Sequence, residues 1–347
     1  MDALTYESYV FDPRPRYPLL TTAKRYWHPQ LFSDDPDALT LVFTHGTGFH
    51  KEQWEPTFEH LCELLERSGH PNIKLREIWS IDCPNHGDAA ILNEEELSWG
   101  YSEVFGWEEY GRSVHAFLAG LGTGIPVDFN TRNLVGVGHS MGGVALTLAN
   151  TFTPTINFKY IVLVEPMTYH KPPPGQLPAF KLDLAAGALK RRDTWPSRQA
   201  ALESLESRPS FKIWDPRVLR VFVEQGLRDL PTALHPDEKE GVTLKCAKTQ
   251  EAASYRDNLG RTRAYKFLGV LCSSLPVHFI YGEIDDYIPR DAKNRVLKEA
   301  ARGKYASLTR VPKAGHLIVQ MQPCGLANAI AAVLEKEAAR ASRQSKL

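Results

Sequence analysis

The sequence predicts an α/β fold in which a mostly parallel sheet is flanked by helices. Short apolar runs at residues 40–44, 134–137 and 160–164 predict buried strands. The segments between them place apolar residues at helical spacing. This alternation is typical of βαβ units, whose crossover helices cover a parallel sheet. The chain has 347 residues, 43% hydrophobic and 24% charged, a composition typical of globular proteins.

Further predicted helices and strands continue this alternation. The helix after the first strand carries Trp54, Phe58 and Leu61 on one face and ends at Gly69. The closing helix carries Leu326 and Ile330 on its apolar face. The remaining predicted elements are strands at residues 73–82, 277–281 and 307–311 and helices at residues 107–118 and 141–150.

The alternation stops between about residues 170 and 272. This stretch begins with the proline-rich residues 171–175 and contains helical patterns at residues 198–207 and 216–225, but no clear strand. We predict a helical lid inserted after the strand that ends at Glu165. The lid would comprise residues 170–272, and the core residues 1–169 and 273–347. Ligands of open α/β sheets bind at the carboxyl ends of the strands, which such a lid would cover.

Charge and cysteine usage narrow the possible partners. The 41 basic and 41 acidic residues cancel, so we expect neither nucleic acid nor a membrane surface as a partner. No apolar run reaches the length of a membrane span, and the first residues lack the apolar region of a secretory signal. The five scattered cysteines form no CxxC pair, which predicts reduced thiols and no metal site. No cofactor is expected.

The stretch Gly138-His-Ser140-Met-Gly142 fits the pattern G-x-S-x-G of a nucleophile elbow. A strand is predicted before it and a helix after it, and the flanking glycines permit the sharp turn that the elbow requires. Ser140 is therefore the candidate nucleophile of a fold of the α/β-hydrolase type. A serine at an elbow needs a neighbouring base. Among 12 histidines, His316 is the candidate, because it follows the last predicted strand, where this fold places its base.

An oxyanion hole requires backbone N–H groups directed at the developing negative charge. We expect one from Met141, the residue after the nucleophile, and a second from Thr47, in the loop after the first predicted strand. His45 and Gly46 of the same loop, and His86 after the second predicted strand, are expected to shape the substrate site.

Two carboxylates could orient the imidazole of His316. Glu165 ends the strand after the elbow strand, whereas Asp285 follows the strand at residues 277–281, a position that α/β-hydrolases commonly use. Periodicity does not separate them.

Several longer stretches carry a more specific resemblance. They are His45-Gly-Thr-Gly48, Lys51-Glu-Gln-Trp-Glu-Pro56, Asn85-His-Gly-Asp88, Leu163-Val-Glu-Pro166, Asp193-Thr-Trp-Pro-Ser-Arg198 and Leu227-Arg-Asp-Leu-Pro231. With these stretches the chain resembles fungal peroxisomal hydrolases of the α/β-hydrolase superfamily, a group that includes an acyl-CoA hydrolase of mycophenolic acid biosynthesis, AK-toxin-type biosynthetic hydrolases and a lipase-like hydrolase. The resemblance covers most of residues 40–235 and the region around His316. It implies that Glu165 is the acid, with Asp285 as the alternative, and that the substrate is an acyl-CoA or a lipid ester.

The sequence ends in Ser345-Lys346-Leu347, a tripeptide that the peroxisomal import receptor reads. Together these observations predict a peroxisomal serine hydrolase that cleaves an ester or thioester through an acyl-enzyme. Two alternatives remain open at this point. An acyltransferase would use the same triad, and a binder of small molecules could retain the fold without catalysis.

Overall fold

The computed structural model describes residues 4–69, 73–168 and 183–344. Within these residues the strands are β1 (Thr5–Phe11), β2 (Thr21–Trp27), β3 (Leu39–Thr44), β4 (Leu75–Ile81), β5 (Asn133–His139), β6 (Phe158–Val164), β7 (Thr194–Trp195), β8 (Leu227–Asp229), β9 (Val242–Leu244), β10 (Val277–Gly282) and β11 (Ser307–Val311).

The helices of the described residues are α1 (Glu55–Ser68), α2 (Gly87–Leu92), α3 (Glu94–Gly100), α4 (Trp107–Leu118), α5 (Met141–Ala149), α6 (Leu184–Lys190), α7 (Arg198–Glu206), α8 (Pro209–Lys212), α9 (Pro216–Gly226), α10 (Lys248–Tyr255), α11 (Leu259–Ser274), α12 (Arg290–Arg295), α13 (Ile318–Met321) and α14 (Pro323–Gln344). Short 3₁₀ segments at Lys51–Trp54 and Phe129–Thr131 and a π-helical segment at Val296–Ala300 complete the regular structure.

Eight strands form one sheet in the order β1-β2-β4-β3-β5-β6-β10-β11. The strands from β4 to β11 in that order pair in parallel, whereas β1 and β2 pair antiparallel at one edge. The predicted α/β fold with a mostly parallel sheet is therefore confirmed. Because parallel strands share a direction, the loops after β3, β5, β6, β10 and β11 meet at one edge of the sheet.

Helices cover both faces of this sheet. On one face, Phe58 of α1 and Ile330 of α14 belong to the same apolar cluster as Val162 of the sheet. On the other face, Val144 of α5 and Leu268 of α11 pack in a second cluster. All these side chains are fully buried, and each contributes about 1.5–3 kcal/mol through removal of its apolar surface from water.

The six predicted core strands are present, five of them with shifted ends, but the sequence did not indicate β1 and β2. β2 lacks an apolar run because Lys24 and Arg25 lie at its centre. Lys24 is nevertheless buried. Its charge is paired there, because its ammonium lies 3.3 Å from a carboxylate oxygen of Glu55. β1 is largely exposed at the sheet edge, so its sequence TYESYVF shows little apolar alternation.

The segment at residues 183–275 is mainly helical, as predicted, but it also contains strands. β7, β9 and β8 form a small antiparallel sheet, each strand only two or three residues long. The sequence shows no clear strand in this stretch because strands this short carry no readable period. The last helix of the segment, α11, packs on the core helices through Ala264 and Leu268. The division into a core and a lid ending at residue 272 stays a prediction.

Other predictions concern absences or termini. Within the described ranges, no helix has the length and apolar character needed to cross a bilayer, and no group of metal-ligating side chains is found. Cys62, Cys83, Cys246 and Cys272 are buried free thiols, and Cys324 is partly exposed. Residues 169–182, which include the proline-rich stretch, and the tripeptide Ser345-Lys346-Leu347 lie outside the described residues.

Candidate active site

Ser140 occupies a tight turn between β5 and α5. Its φ of 54° and ψ of −115° are unfavourable for a residue with a side chain. The turn is held because the Ser140 amide donates to the Val164 carbonyl at 3.0 Å. Two glycines make it possible. A Cβ on Gly138 would lie 2.6 Å from the Gly142 carbonyl oxygen, and a Cβ on Gly142 would overlap the Thr44 carbonyl.

His316 lies in the loop after β11, with its Nε2 atom 3.0 Å from Ser140 Oγ. Both sides of its backbone are anchored. The His316 amide donates to Asp286 Oδ1 at 2.8 Å, and its carbonyl accepts a hydrogen bond from His139 Nε2 at 2.8 Å. Gly315 is required beside it, since a Cβ there would overlap the Asp286 carboxylate. These contacts fix the imidazole against the serine.

Glu165 completes this hydrogen-bonded series from the end of β6. Its Oε2 atom lies 3.3 Å from His316 Nδ1, and its Oε1 atom accepts from the Gly282 amide at 2.7 Å. The side chain is fully buried. Burial alone would raise the pKa of Glu165, but the hydrogen bond to His316 and the charge of Lys293 outweigh it and hold the pKa below its ordinary value.

This arrangement assigns the protons of the imidazole. Nδ1–H donates to the Glu165 carboxylate, so Nε2 is unprotonated and accepts from the Ser140 hydroxyl. Asp285 is engaged elsewhere. Its carboxylate binds Arg290 Nε at 2.7 Å and lies 3.4 Å from Lys293 Nζ, with 27% of the side chain exposed. The geometry therefore brings Glu165, rather than Asp285, to His316.

Two candidate oxyanion donors lie next to the serine. Met141 is the first residue of α5, so its amide has no acceptor within the helix. Thr47 lies in the loop after β3, lines the cavity beside Ser140 and contacts Met141 through a hydrogen bond from Oγ1 to Sδ at 3.4 Å. The structure therefore places both residues next to Ser140.

Two buried histidines support the loop that holds Thr47. His45 Nδ1–H donates to the Gly46 carbonyl at 2.8 Å, and Nε2 accepts from the Cys83 amide at 3.0 Å. Burial lowers the pKa of His45 to about 4, so the ring is neutral at physiological pH. His86 Nε2 accepts from the Gly48 amide at 2.9 Å, and burial lowers the pKa of His86 well below its ordinary value.

The sequence predicts that His45, Gly46 and His86 shape the substrate site. None of the three belongs to the lining of the cavity at Ser140. Both histidines are at most 1% exposed, and their ring nitrogens form hydrogen bonds with neighbouring groups of the chain. Gly46 is needed for space, because a Cβ there would lie 2.9 Å from His139 Nδ1. His45 and Gly46 belong to the loop after β3, and His86 contacts its Gly48 amide, so all three shape the loop that carries Thr47.

A cavity of about 480 Å³ opens above Ser140. One wall is aromatic and comes from the predicted lid. The ring centroids of Phe211 and Trp214 lie 4.9 Å apart, and those of Trp214 and Phe222 lie 5.7 Å apart. Trp195 of the same segment does not line the cavity and packs in the apolar interior of that segment. The inserted segment thus supplies one apolar wall of the cavity.

The lining also contains charged groups from the same inserted segment. They are Arg191, Arg256 and Arg261 and the carboxylates Asp183 and Glu251. Arg191 forms an ion pair with the buried Glu251. Burial raises the pKa of Glu251 despite this pairing. Sequence reasoning missed this group, because the arginines are spread over three helical segments and no short motif joins them.

The sequence also gave no sign of Lys293, which binds Glu165 Oε1 at 2.8 Å. It lies in α12 within the polar stretch Arg290–Arg295, whose sequence RDAKNR resembles a solvated helix. A lysine in such a run is normally exposed, whereas this side chain is fully buried.

Known proteins with similar sequences include two fungal ones. The chain is 33% identical over 204 residues to the type I acyl-CoA thioesterase mpaH of Penicillium roqueforti, which covers 58% of this chain and 42% of that protein. It is 31% identical over 152 residues to the peroxisomal membrane protein LPX1 of Saccharomyces cerevisiae, which covers 44% of this chain and 35% of that protein. The chain thus spans less than half the length of either relative.

Among solved structures, the peroxisomal alpha-beta-hydrolase Lpx1 of Saccharomyces cerevisiae superposes with a TM-score of 0.73 at 20% identity, covering 97% of this chain and 90% of that chain. At this identity the match shows a shared fold. The model of the Alpha/beta hydrolase family matches residues 41–329. These findings confirm the resemblance that the motifs indicated. The chain belongs to the alpha/beta hydrolase family.

Proposed function

We propose that this protein is a serine hydrolase that cleaves carboxylic esters or thioesters through an acyl-enzyme. One observation carries the proposal: Ser140, His316 and Glu165 form a continuous hydrogen-bonded series, with distances of 3.0 and 3.3 Å, at the base of a cavity. A neutral imidazole that accepts from a serine and donates to a buried carboxylate is the arrangement that activates a hydroxyl.

In the first half-reaction, Ser140 Oγ attacks the acyl carbonyl while His316 Nε2 takes the hydroxyl proton. The carbonyl oxygen becomes negative, and the amides of Met141 and Thr47 stabilise it. Glu165 stabilises the imidazolium that forms. When the tetrahedral intermediate collapses, the bond to the leaving oxygen or sulfur breaks, and His316 returns its proton to that atom.

In the second half-reaction, water takes the place of the leaving group. His316 Nε2 accepts a proton from the water, whose oxygen attacks the acyl carbon bound to Ser140. The second tetrahedral intermediate collapses to the carboxylic acid, and the proton goes back to Ser140 Oγ. The enzyme is thereby restored.

The cavity lining favours an acyl-CoA over a neutral ester. Phe211, Trp214 and Phe222 offer an apolar wall for an acyl chain, and Arg256 and Arg261 add positive charge to the same cavity. Coenzyme A carries phosphate groups, which arginine binds well. A relative is named an acyl-CoA thioesterase, which supports the same substrate class.

We also infer that the protein acts in the peroxisome. The tripeptide Ser345-Lys346-Leu347 is of the type that the peroxisomal import receptor binds. The relative LPX1 is named as a peroxisomal protein, which supports this location.

Ser140→Ala should abolish hydrolysis. Because the serine supplies the attacking oxygen, we expect turnover to fall by about 10⁶-fold, as for other triad nucleophiles. The measurement is kcat on a short-chain acyl-CoA and on the matched p-nitrophenyl ester. Exposed Ser98→Ala serves as the control. A fluorophosphonate probe should label wild-type Ser140 and leave the S140A variant unlabelled. Folded wild-type protein that is not labelled would favour a non-catalytic binder.

Glu165→Gln should lower turnover by about 10⁴-fold, because the amide does not stabilise the imidazolium and can stabilise the wrong tautomer. Asp285→Asn should cost less than about tenfold, since its carboxylate pairs with Arg290 and Lys293. Both kcat values are compared at the pH optimum. The opposite ranking would assign the acid role to Asp285.

The double variant Arg256→Gln/Arg261→Gln should raise KM for acyl-CoA by about tenfold, if each lost phosphate contact costs up to ~1 kcal/mol. KM for the matched p-nitrophenyl ester, which lacks phosphates, should change little. Arg263→Gln is the matched control: it lies on α11, as Arg261 does, but it does not belong to the cavity lining. An equal rise in KM for both substrates would argue against recognition of coenzyme A.

Deletion of Ser345-Lys346-Leu347 from a fusion with an N-terminal fluorescent protein should leave the fusion in the cytosol, because the receptor reads that tripeptide. The measurement is overlap with a peroxisomal marker, compared with the intact fusion. Import of the truncated fusion would contradict the assignment of this signal.

A further inference from the structure

Lys293 is a fully buried lysine in contact with the candidate acid. Its side chain in α12 has no exposed surface. Its ammonium lies 2.8 Å from Glu165 Oε1 and 3.4 Å from Asp285 Oδ1. It also lies 5.3 Å from the centre of the Tyr281 ring. A buried ammonium is costly unless it is paired, so this position indicates a specific role for the charge.

The two oxygens of the Glu165 carboxylate have different partners, and Lys293 binds one of them. Oε1 is held from two sides, by Lys293 Nζ and by the Gly282 amide. Oε2 is left for His316 Nδ1. The side chain of Glu165 therefore has one orientation in which all its partners are satisfied, and that orientation faces the imidazole.

The same ammonium stands between the two carboxylates that the sequence left as alternatives. Asp285 is held on its outer side by Arg290 and on its inner side by Lys293. Glu165 is fully buried, whereas Asp285 is partly exposed. Because coulombic interactions are stronger where water is excluded, the charge of Lys293 acts mainly on Glu165.

We propose that Lys293 is a positioning residue of the triad: it keeps Glu165 ionised and oriented, and so sets the pH at which the Glu165–His316 pair takes up a proton. The proposal rests on the proposed hydrolase function. It assigns to α12 a contribution to catalysis although Lys293 does not itself line the cavity.

The sign of the pH effect follows from charge. The competent state has an ionised Glu165 and a neutral His316, and protonation of the pair removes it. A nearby cation opposes that protonation, and a nearby anion favours it. Loss of Lys293 should thus raise the midpoint pH of the acid limb of the activity profile, and loss of the Asp285 charge should lower that midpoint. The other charged or titratable groups around this network are Tyr281, Asp286, Tyr287, Arg290, Arg310 and His139.

The test is the pH profile of kcat/KM for Lys293→Met, Lys293→Gln and Asp285→Asn. For both lysine variants we expect the plateau to fall by about tenfold or more, because the acid loses its fixed orientation. We expect the midpoint of their acid limb to rise by about one pH unit. Asp285→Asn should move the midpoint down by a few tenths of a unit. Glutamine retains a hydrogen-bond donor without the charge, which separates the two contributions.

Thermal unfolding and the end point of fluorophosphonate labelling give the fraction of folded sites, and rates are normalised to it. If the lysine variants lowered kcat/KM at every pH but left the midpoint of the acid limb unchanged, Lys293 would have only a structural role. That result would contradict the proposal. A wild-type midpoint in Lys293→Gln would contradict the role of charge. If neither lysine variant folds, Asp285→Asn decides: an unmoved or raised midpoint overturns the proposal. Absence of Ser140-dependent activity in the wild type would instead overturn the hydrolase function.

Discussion

The site depends on the close approach of backbones around Ser140. The serine adopts a positive φ because the Gly138 and Gly142 Cα atoms lie against backbone atoms of α5 and of the loop after β3, where a Cβ would not fit. That contact also sets the distance between the elbow and the loop that carries Thr47. A strained nucleophile and a formed oxyanion loop are therefore consequences of one packing constraint, and the large buried sheet provides the stability that maintains it.

The second constraint is the burial of charged side chains, and the structure meets it by pairing them with hydrogen-bond donors and opposite charges. Glu165 also has a positive φ of 45°, at the end of a strand where its carboxylate has no access to water. An isolated carboxylate there would take up a proton. The Gly282 amide, His316 and Lys293 together supply three donors to its two oxygens. The candidate acid is thus defined by its surroundings on β10, α12 and the loop after β11, and not by its own sequence position.

This explains which features the sequence could predict. Ser140 and His316 could be predicted as candidates from local patterns, a glycine-flanked turn and a position after the last strand, and the structure brings their side chains together. The choice between Glu165 and Asp285 could not be made from periodicity, because it depends on where the ammonium of Lys293 lies in three dimensions. β2 was missed because its buried Lys24 is paired with an acid from a distant segment. In each case the missing information is a tertiary ion pair.

The histidines around the site follow the same logic. Burial lowers the pKa of His139 to about 3 and that of His45 to about 4, so both rings are neutral at physiological pH. Each uses its nitrogens to hold backbone, His139 at the carbonyl of His316 and His45 at the oxyanion loop. His316 differs because its two nitrogens face a carboxylate and a hydroxyl, the partners between which a proton can move. Neighbouring imidazoles thus divide into rings that fix the geometry and one ring that is placed to transfer a proton, and the division is made by their hydrogen-bond partners.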